Sequence, residues 1–208
     1  MIRSTVGVGV TIASLVGAAL WWRKHPSACP YGQRFWVESP HPFITRERLR
    51  EALEPQAGQR VLEVGPGTGY YTLDVARWIA PAGRLDILDV QQQMLDHTMR
   101  RADEAQISNI QARHGDATDL PYEDAAFDAA YLVAVLGEVP DQDRALRELR
   151  RTLKPGGRLV VGELFGDPHM VGERTLRRHA PAAGLRFERR VGPRFGFFAV
   201  LRRAEPAP

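Results

Sequence analysis

The fold is decided by the stretch Val61-Leu62-Glu63-Val64-Gly65-Pro66-Gly67-Thr68-Gly69. The run from Arg60 to Val64 is short, mostly apolar and bounded by turn residues, which is typical of a buried strand. Residues 71–80, after the glycines, have the spacing of a helix. Because glycine lacks a β-carbon, backbone and ligand can approach each other closely in such a turn. The stretch therefore predicts a strand, a ligand-binding turn and a helix, as at the start of an α/β domain.

The residues of this turn argue against two common nucleotide sites. The dinucleotide fingerprint G-x-G-x-x-G requires a third glycine where this chain has Tyr70. A phosphate-binding P-loop requires Gly-Lys-Ser/Thr, which the turn lacks. Glu63 stands two residues before the first glycine, where a carboxylate would repel a pyrophosphate and attract an ammonium group. The turn is therefore predicted to bind a ligand with an ammonium group.

Two more acidic residues follow predicted strands. Asp89 ends the second strand, about 20 residues beyond the turn, where a carboxylate can accept hydrogen bonds from two ribose hydroxyls. The alternative is that Asp89 caps the next helix. Asp116, in Gly115-Asp116-Ala117, could accept a hydrogen bond from an adenine amino group, or could be a simple turn residue. With Glu63, these residues predict one nucleoside site at the carboxyl edge of a sheet.

Strands and helices alternate along most of the chain. The predicted strands cover residues 60–64, 84–90, 110–113, 127–135 and 158–163, and the predicted helices cover 45–54, 71–80, 91–105 and 141–153. Thr45 and Asp141 suit the N-terminal ends of the first and last of these helices. Such alternation predicts an α/β fold with a doubly wound, Rossmann-like parallel sheet. Residues 185–191 and 195–202 flank Gly192-Pro193 and predict a strand pair. We therefore expect seven strands, mostly parallel, with an antiparallel last strand.

The N-terminal segment carries no charged residue from Ser4 to Trp22. At about 1.5 Å per residue, such a helix approaches the roughly 30 Å thickness of a bilayer core. Trp21 and Trp22 suit the lipid–water boundary, and positive residues are more numerous after the segment than before it. We predict one transmembrane anchor over residues 1–24, with the remaining chain facing the cytoplasm. A cleaved signal peptide and a buried or peripheral helix are the alternatives.

Residues 25–44 are rich in proline and aromatic residues, which predicts an extended linker. Its aromatic side chains either pack on the main domain or form a lid over the site. The main domain is expected over residues 45–208. The chain has 208 residues, a net charge of +3 and a single cysteine, Cys29. An intrachain disulfide and zinc-finger spacing are therefore excluded, which suits a reducing compartment.

Four stretches together resemble a known family: VLEVGPGTGYY, LDILDVQQQML, HGDATDLPYEDAAFDAAYLVAVLGEVPD and ALRELRRTLKPGGRLVVGE. They look like the class I S-adenosylmethionine-dependent methyltransferases, and the resemblance covers residues from about 45 to 202. Within this family, the four stretches most resemble the enzymes of quinone biosynthesis and phospholipid N-methylation. The resemblance implies S-adenosylmethionine as co-substrate and no metal ion. The predicted anchor and the lack of a large substrate insertion favour a small hydrophobic or lipid-like acceptor at the membrane.

The resemblance also implies contacts with the cofactor. Gly65, Gly67 and Gly69 would cradle the cofactor, and Glu63 would face its amino-acid end. Asp89 would bind the ribose, Asp116 with Ala117 would hold the adenine, and Leu132 would touch the methionine part. The adenosine would be lined by Val90, Gln91 and Met94. Quinone methyltransferases often have a histidine pair after the fourth strand, where this chain has Gly137-Glu138. The acceptor therefore cannot be carried over.

A catalytic base is needed only if the acceptor must lose a proton. Glu138, after the fourth strand, and His41, in the linker, are candidates, as are Glu163 and Tyr31. Glu138 and Glu163 suit a helix cap or a solvated side chain equally well, so no single base is assigned.

Two other functions remain open. A nicotinamide-dependent oxidoreductase is opposed by Tyr70, and a membrane-tethered protein could bind the cofactor without catalysis. Nucleic acid is not expected as a partner, because no aromatic residues interleave with the arginine groups near residues 174–178 and 189–203. Those arginines form either solvated faces or a contact with anionic lipid.

Overall fold

The computed structural model describes residues 26–33, 35 and 41–204. Its centre is one seven-stranded sheet with the order β3-β2-β1-β4-β5-β7-β6. The strands are β1 (Arg60–Val64), β2 (Arg84–Asp89), β3 (Ile110–His114), β4 (Phe127–Val133), β5 (Leu153–Leu164), β6 (Leu185–Val191) and β7 (Gly196–Arg203). Neighbouring strands are parallel from β3 to β5, and β7 runs antiparallel to both β5 and β6. The predicted Rossmann-like sheet with an antiparallel last strand is confirmed.

In the described part of the chain, five α-helices cover the two faces of this sheet. They are α1 (Arg46–Leu53), α2 (Thr72–Trp78), α3 (Gln92–Glu104), α4 (Gln142–Thr152) and α5 (Glu173–His179). Side chains of α1, α2 and α3 share one buried cluster with Val61, whereas side chains of α4 and α5 share a second cluster with Leu62. Successive residues of a strand point to opposite faces, so β1 contributes to both clusters. The sheet is therefore doubly wound.

The helix starts follow the predicted capping residues. Thr45 Oγ1 accepts a hydrogen bond from the backbone N–H of Arg48 at 3.4 Å, and Asp141 Oδ1 accepts one from that of Arg144 at 2.9 Å. Each side chain satisfies one of the amide groups that a helix leaves unpaired at its start.

Two strand boundaries differ from the sequence prediction. The predicted fourth strand extended to Val135, but β4 ends at Val133 because Ala134 has a left-handed backbone with φ of 55°. The predicted fifth strand began at Arg158, whereas β5 begins at Leu153. Helix α4 ends at Thr152. Residues 154–157 form an irregular start of β5, where the register with β4 shifts. Gly156, with φ of 70°, permits that bend.

No helix within the described part of the chain is long and apolar enough to cross a membrane. The predicted anchor over residues 1–24 lies outside the described residues, and it stays a prediction.

The sheet buries one charged group that the sequence analysis did not single out. Asp86, in β2, is 1% exposed. Its two carboxylate oxygens accept hydrogen bonds from Arg60 at 2.9 and 3.1 Å and from Arg84 at 3.1 and 2.7 Å. A buried charge is tolerated when it is paired in this way, so the two arginines are needed to keep Asp86 in the sheet.

We expect Asp86→Asn to lower the free energy of unfolding by about 2 kcal/mol, because charged hydrogen bonds are lost at a buried position. Chemical denaturation followed by circular dichroism measures the change. Lys154→Gln is the control: it breaks a partly exposed pair with Asp128 and should cost less than about 1 kcal/mol. Equal effects of the two substitutions would contradict the importance of the buried pair.

Candidate cofactor and acceptor site

The glycine-rich turn lies at the carboxyl end of β1, between β2 and β4. Gly65, Gly67 and Gly69 have φ values of 69°, 56° and 79°, a region that favours glycine. A β-carbon on Gly65 would lie 2.4 Å from Val135 Cγ2, and one on Gly69 would lie 2.9 Å from Thr98 Cγ2. The turn therefore requires glycine at these two positions for both conformation and space.

Two neighbours hold the turn in place. The backbone N–H of Gly65 donates to the carbonyl of Leu88 in β2 at 2.8 Å. Thr98 of α3 donates from its hydroxyl to the carbonyl of Gly67 at 2.9 Å. The turn thus lies beside the point between β1 and β4 where the strand order of the sheet reverses. Ligands bind at this point in doubly wound folds.

Glu63 lies beneath the turn rather than at an open surface. Its carboxylate Oε2 accepts a hydrogen bond of 2.6 Å from the hydroxyl of Thr72, and its side chain is buried. Burial raises the pKa of Glu63 to about 7, although the bond from Thr72 favours the charged form. The observed contact ties β1 to the start of α2, and the expected contact with the cofactor stays a prediction.

Asp89 lies at the end of β2, beside the glycine turn. The region above the carboxyl ends of β1, β2 and β4 is here named the crevice. Asp89 is 7% exposed, and its Oδ1 accepts a hydrogen bond from the backbone N–H of Gln91 at 2.9 Å. Burial raises the pKa of Asp89, while the backbone N–H groups of Gln91 and Gly67 act in the opposite direction. Asp89 therefore lies beside the glycine turn, but it does not cap α3, whose N-cap residue is Gln91 and whose start has no side-chain cap. The expected hydrogen bonds from ribose hydroxyls to Asp89 stay a prediction.

The remaining predicted cofactor contacts lie around this crevice with different exposures. Val90 is exposed and Met94 is buried, at the start of α3. Asp116 Oδ1 accepts a hydrogen bond of 2.7 Å from the backbone N–H of Thr118, so Asp116 is an exposed turn residue. Ala117 and Leu132 are buried, after β3 and near the end of β4. Each is at or near the carboxyl end of a strand, as predicted, but their contacts with a cofactor stay predictions.

Residues 26–33, here named the strap, cross the same edge of the sheet. The side-chain amide of Gln91 donates to the carbonyl of Cys29 at 2.9 Å, and the N–H of Tyr31 donates to Gln91 Oε1 at 3.2 Å. The N–H of Cys29 donates to Glu138 Oε2 at 3.3 Å. The strap therefore connects the start of α3 with the loop after β4. Sequence reasoning left a packed linker and a lid as alternatives, and it missed Cys29 and the bridging role of Gln91.

Three carboxyl groups form an acidic cluster on the other side of the strap: Glu138, Glu163 and Asp167. Glu163 is 1% exposed, and its Oε2 accepts a hydrogen bond of 2.9 Å from the N–H of Val171. Its Oε1 has no hydrogen-bond partner in the described structure. Burial raises the pKa of Glu138 to about 8, with Asp167 and Asp89 adding to the effect, and it raises the pKa of Glu163 well above its usual range. The acidic cluster is therefore stabilised when its carboxyl groups are protonated or when a cation lies beside them.

Close packing fixes one side of this cluster. A β-carbon on Gly137 would lie 1.7 Å from the carbonyl oxygen of His169. The loop that carries Asp167 is thus pressed against the residue before Glu138. The glycine at this position was visible in the sequence, but its contact partner, 32 positions further along the chain, was not.

His41, the other candidate base, lies beside the glycine turn. Its ring centroid is 5.3 Å from that of Tyr70, and Arg46 stacks on the same tyrosine ring at 4.4 Å. Burial lowers the pKa of His41, so the ring is neutral at pH 7. A neutral imidazole can accept a proton, but the structure places it against Tyr70 rather than within the acidic cluster. Among residues 26–33, 35 and 41–204, no group of histidine, cysteine and acidic side chains is placed to hold a metal ion.

Comparison with solved structures concerns the fold. A methyltransferase from Aquifex aeolicus, described as S-adenosylmethionine-dependent, superposes with a TM-score of 0.77 at 19% identity, over 84% of this chain and 98% of that one. The [4+2]-cyclase SpnF superposes with a TM-score of 0.68 at 24% identity, over 77% and 80% of the two chains. The second protein shows that this fold also serves a different reaction.

Sequence comparison identifies the family. The chain is 33% identical over 131 residues to the demethylmenaquinone methyltransferase of Geobacillus sp. (strain WCH70), covering 63% of this chain and 56% of that protein. It is 34% identical over 120 residues to the enzyme of the same name from Staphylococcus aureus (strain JH9), covering 58% and 49%. The match thus spans about half the length of these curated relatives. The model of the ubiE/COQ5 methyltransferase family matches residues 41–173, which is more than half of the chain. The chain belongs to the ubiE/COQ5 methyltransferase family.

Proposed function

We propose that this chain transfers a methyl group from S-adenosylmethionine to a small hydrophobic or lipid-like acceptor at a membrane. The observation that carries this proposal is the glycine turn of residues 65–69 beside the buried carboxylate of Asp89, at the carboxyl edge of the sheet. When bound, S-adenosylmethionine supplies a methyl group that is already activated on a sulfonium. The protein then has to align the acceptor and exclude water.

The crevice has the chemistry that this cofactor requires. The backbone of Gly65, Gly67 and Gly69 leaves room for close approach, because none of the three carries a side chain. The Asp89 carboxylate is largely withdrawn from water, and burial raises its pKa, so hydrogen bonds from two ribose hydroxyls would stabilise its charged form. Val90, Met94, Asp116 and Ala117 would border the adenosine, while Glu63 and Leu132 would lie toward the methionine part.

We expect Asp89→Asn to weaken the binding of S-adenosylhomocysteine about tenfold, because a charged acceptor of hydrogen bonds is lost. Asparagine keeps one oxygen that can accept the hydrogen bond from the N–H of Gln91. Isothermal titration calorimetry measures the affinity. The matched control is Asp96→Asn in the first turns of α3, whose Oδ1 accepts a bond from Gln92. An unchanged affinity in the Asp89 variant would remove Asp89 from the proposed site.

The acceptor class is supported by the relatives and by the sequence around the site. The two relatives are named for methylation of demethylmenaquinone, and the apolar stretch from Ser4 to Trp22 favours a location at a membrane. With an anchor over residues 1–24 and the domain in the cytoplasm, the strap would leave the membrane close to the crevice. Gly137-Glu138 stands where the quinone enzymes often have histidines, so we leave the acceptor atom open.

The test is methyl transfer to extracted membrane lipids by the full chain, with radiolabelled S-adenosylmethionine. We expect label in the organic-soluble fraction and a reduced rate for Asp89→Asn. Label only in polar metabolites or protein would contradict a hydrophobic acceptor. Cofactor binding without any transfer would favour the non-catalytic alternative, and tight binding of NADH would favour an oxidoreductase.

Glu138 is the group that we propose accepts a proton from the acceptor. It follows β4, it receives a hydrogen bond from the strap, and Asp167 and Asp89 lie close enough to raise its pKa. With a pKa of about 8, the carboxyl is protonated below that pH and becomes a base above it. His41 remains an alternative base on the other side of the turn.

We expect kcat/KM of the unsubstituted chain to rise as the pH passes through about 8, since only the ionised carboxylate of Glu138 can take a proton. Glu138→Gln should lower kcat about 100-fold and abolish this rise. The control Glu173→Gln affects a partly buried carboxylate that pairs with Arg177 and Arg190, away from the acidic cluster, and should leave the pH profile unchanged. The same rise in both variants would assign the proton transfer to another group.

A further inference from the structure

The exposed apolar side chains of this chain are distributed on one side. Among the described residues, five large hydrophobic side chains are exposed: Phe35, Phe43, Val90, Phe165 and Phe195. Val90 follows β2, Phe165 follows β5 and Phe195 precedes the antiparallel β7, so all three lie at the carboxyl edge of the parallel strands. Phe43 packs against Phe195, and Phe35 lies two residues beyond the strap. The exposed apolar surface thus surrounds the crevice.

Three of these side chains form an ordered group, here named the aromatic rim: Phe43, Phe165 and Phe195. The rings of Phe43 and Phe195 are 4.6 Å apart and nearly perpendicular. The backbone N–H of Phe165 donates to the carbonyl of Phe195 at 2.7 Å. Together with Pro42 and Leu164, the rim lines an open groove of about 540 Å³. Phe165 is 77% exposed, which is costly for a phenylalanine unless an apolar partner covers it.

Positive charges border the aromatic rim. Arg194 is exposed and directly precedes Phe195. Arg48 donates from Nη1 to the carbonyl of Phe43 at 2.6 Å. Aromatic side chains with arginines beside them are the combination that lies at the surface of an anionic bilayer. A two-fold contact between copies through the rim would instead bring these positive charges close to one another.

We propose that the aromatic rim docks on the surface of an anionic lipid membrane, so that the crevice opens toward the acceptor in the bilayer. This inference rests on the proposed function and names the surface that meets the membrane. The strap also supports a membrane as the partner of this surface, because the chain that follows the apolar stretch of residues 4–22 reaches this edge of the sheet. The phenylalanine rings would enter the interface while the arginines contact lipid phosphates.

A fluorescent label tests the docking without requiring methyl transfer. In the full chain, Cys29→Ser removes the single cysteine and keeps the backbone groups that form the strap's hydrogen bonds. Phe165→Cys then carries an environment-sensitive fluorophore, and Ala57→Cys carries it as the control. Ala57 is exposed just before β1, at the opposite edge of the sheet. The vesicles contain phosphatidylcholine and phosphatidylglycerol with brominated acyl chains.

We expect the label at residue 165 to shift to shorter wavelength on vesicle binding and to be quenched about twofold or more by the brominated chains. The label at residue 57 should remain in water. A chain that binds the vesicles while both labels report water would overturn the proposal, as would a lack of vesicle binding. A shift at residue 165 that depends only on protein concentration, without vesicles, would indicate a second copy of the chain and would also overturn it. The fluorescence of the label does not depend on turnover. The docking can therefore be judged even if the chain transfers no methyl group.

Discussion

The contact between Gly65 and Val135 is the constraint on which the site depends. The backbone of the turn approaches the side chain of Val135 so closely that a β-carbon on Gly65 would overlap it. This approach lets the turn bond to Leu88 of β2 on one side while it packs against the residues after β4 on the other. The position of the turn is therefore set by a backbone hydrogen bond to β2 on one side and by contact with the Val135 side chain on the other.

The electrostatics of the crevice follow from where the strands place carboxyl groups. Asp89, Glu138, Glu163 and Asp167 all lie at the carboxyl edge, and burial raises the pKa of each. Their proximity makes a second or third negative charge costly in the absence of a cation. A sulfonium or ammonium ligand would offset that cost, which agrees with the proposal of a cationic cofactor. The strap adds a hydrogen bond from the N–H of Cys29 to Glu138.

The sequence predicted the central parts of this structure because their signals are local. Alternating strands and helices, the glycine turn, Thr45 and Asp141 as caps, and Asp89 beside the turn all depend on residues close together in the chain. The acidic cluster was not predicted as a unit, because Glu138, Glu163 and Asp167 come from separate loops and strands. The pairing of Asp86 with Arg60 and Arg84 was missed for a related reason. A polar residue in the middle of a strand gives no sign of which neighbouring strand will neutralise it, and only the register of β1 against β2 supplies Arg60.

The position of β7 has a consequence for how the chain completes its fold. Although β7 follows β6 in the sequence, it is inserted between β5 and β6 and pairs with both. Until residues 196–203 leave the ribosome, the backbone groups of β5 on that side have no strand to bond, and β6 cannot join the sheet at all. A growing chain therefore presents an open strand edge until β7 is made, although the five parallel strands already exist. Protection of that edge by a chaperone, or rapid closure by β7, would then decide how much of the newly made protein escapes aggregation.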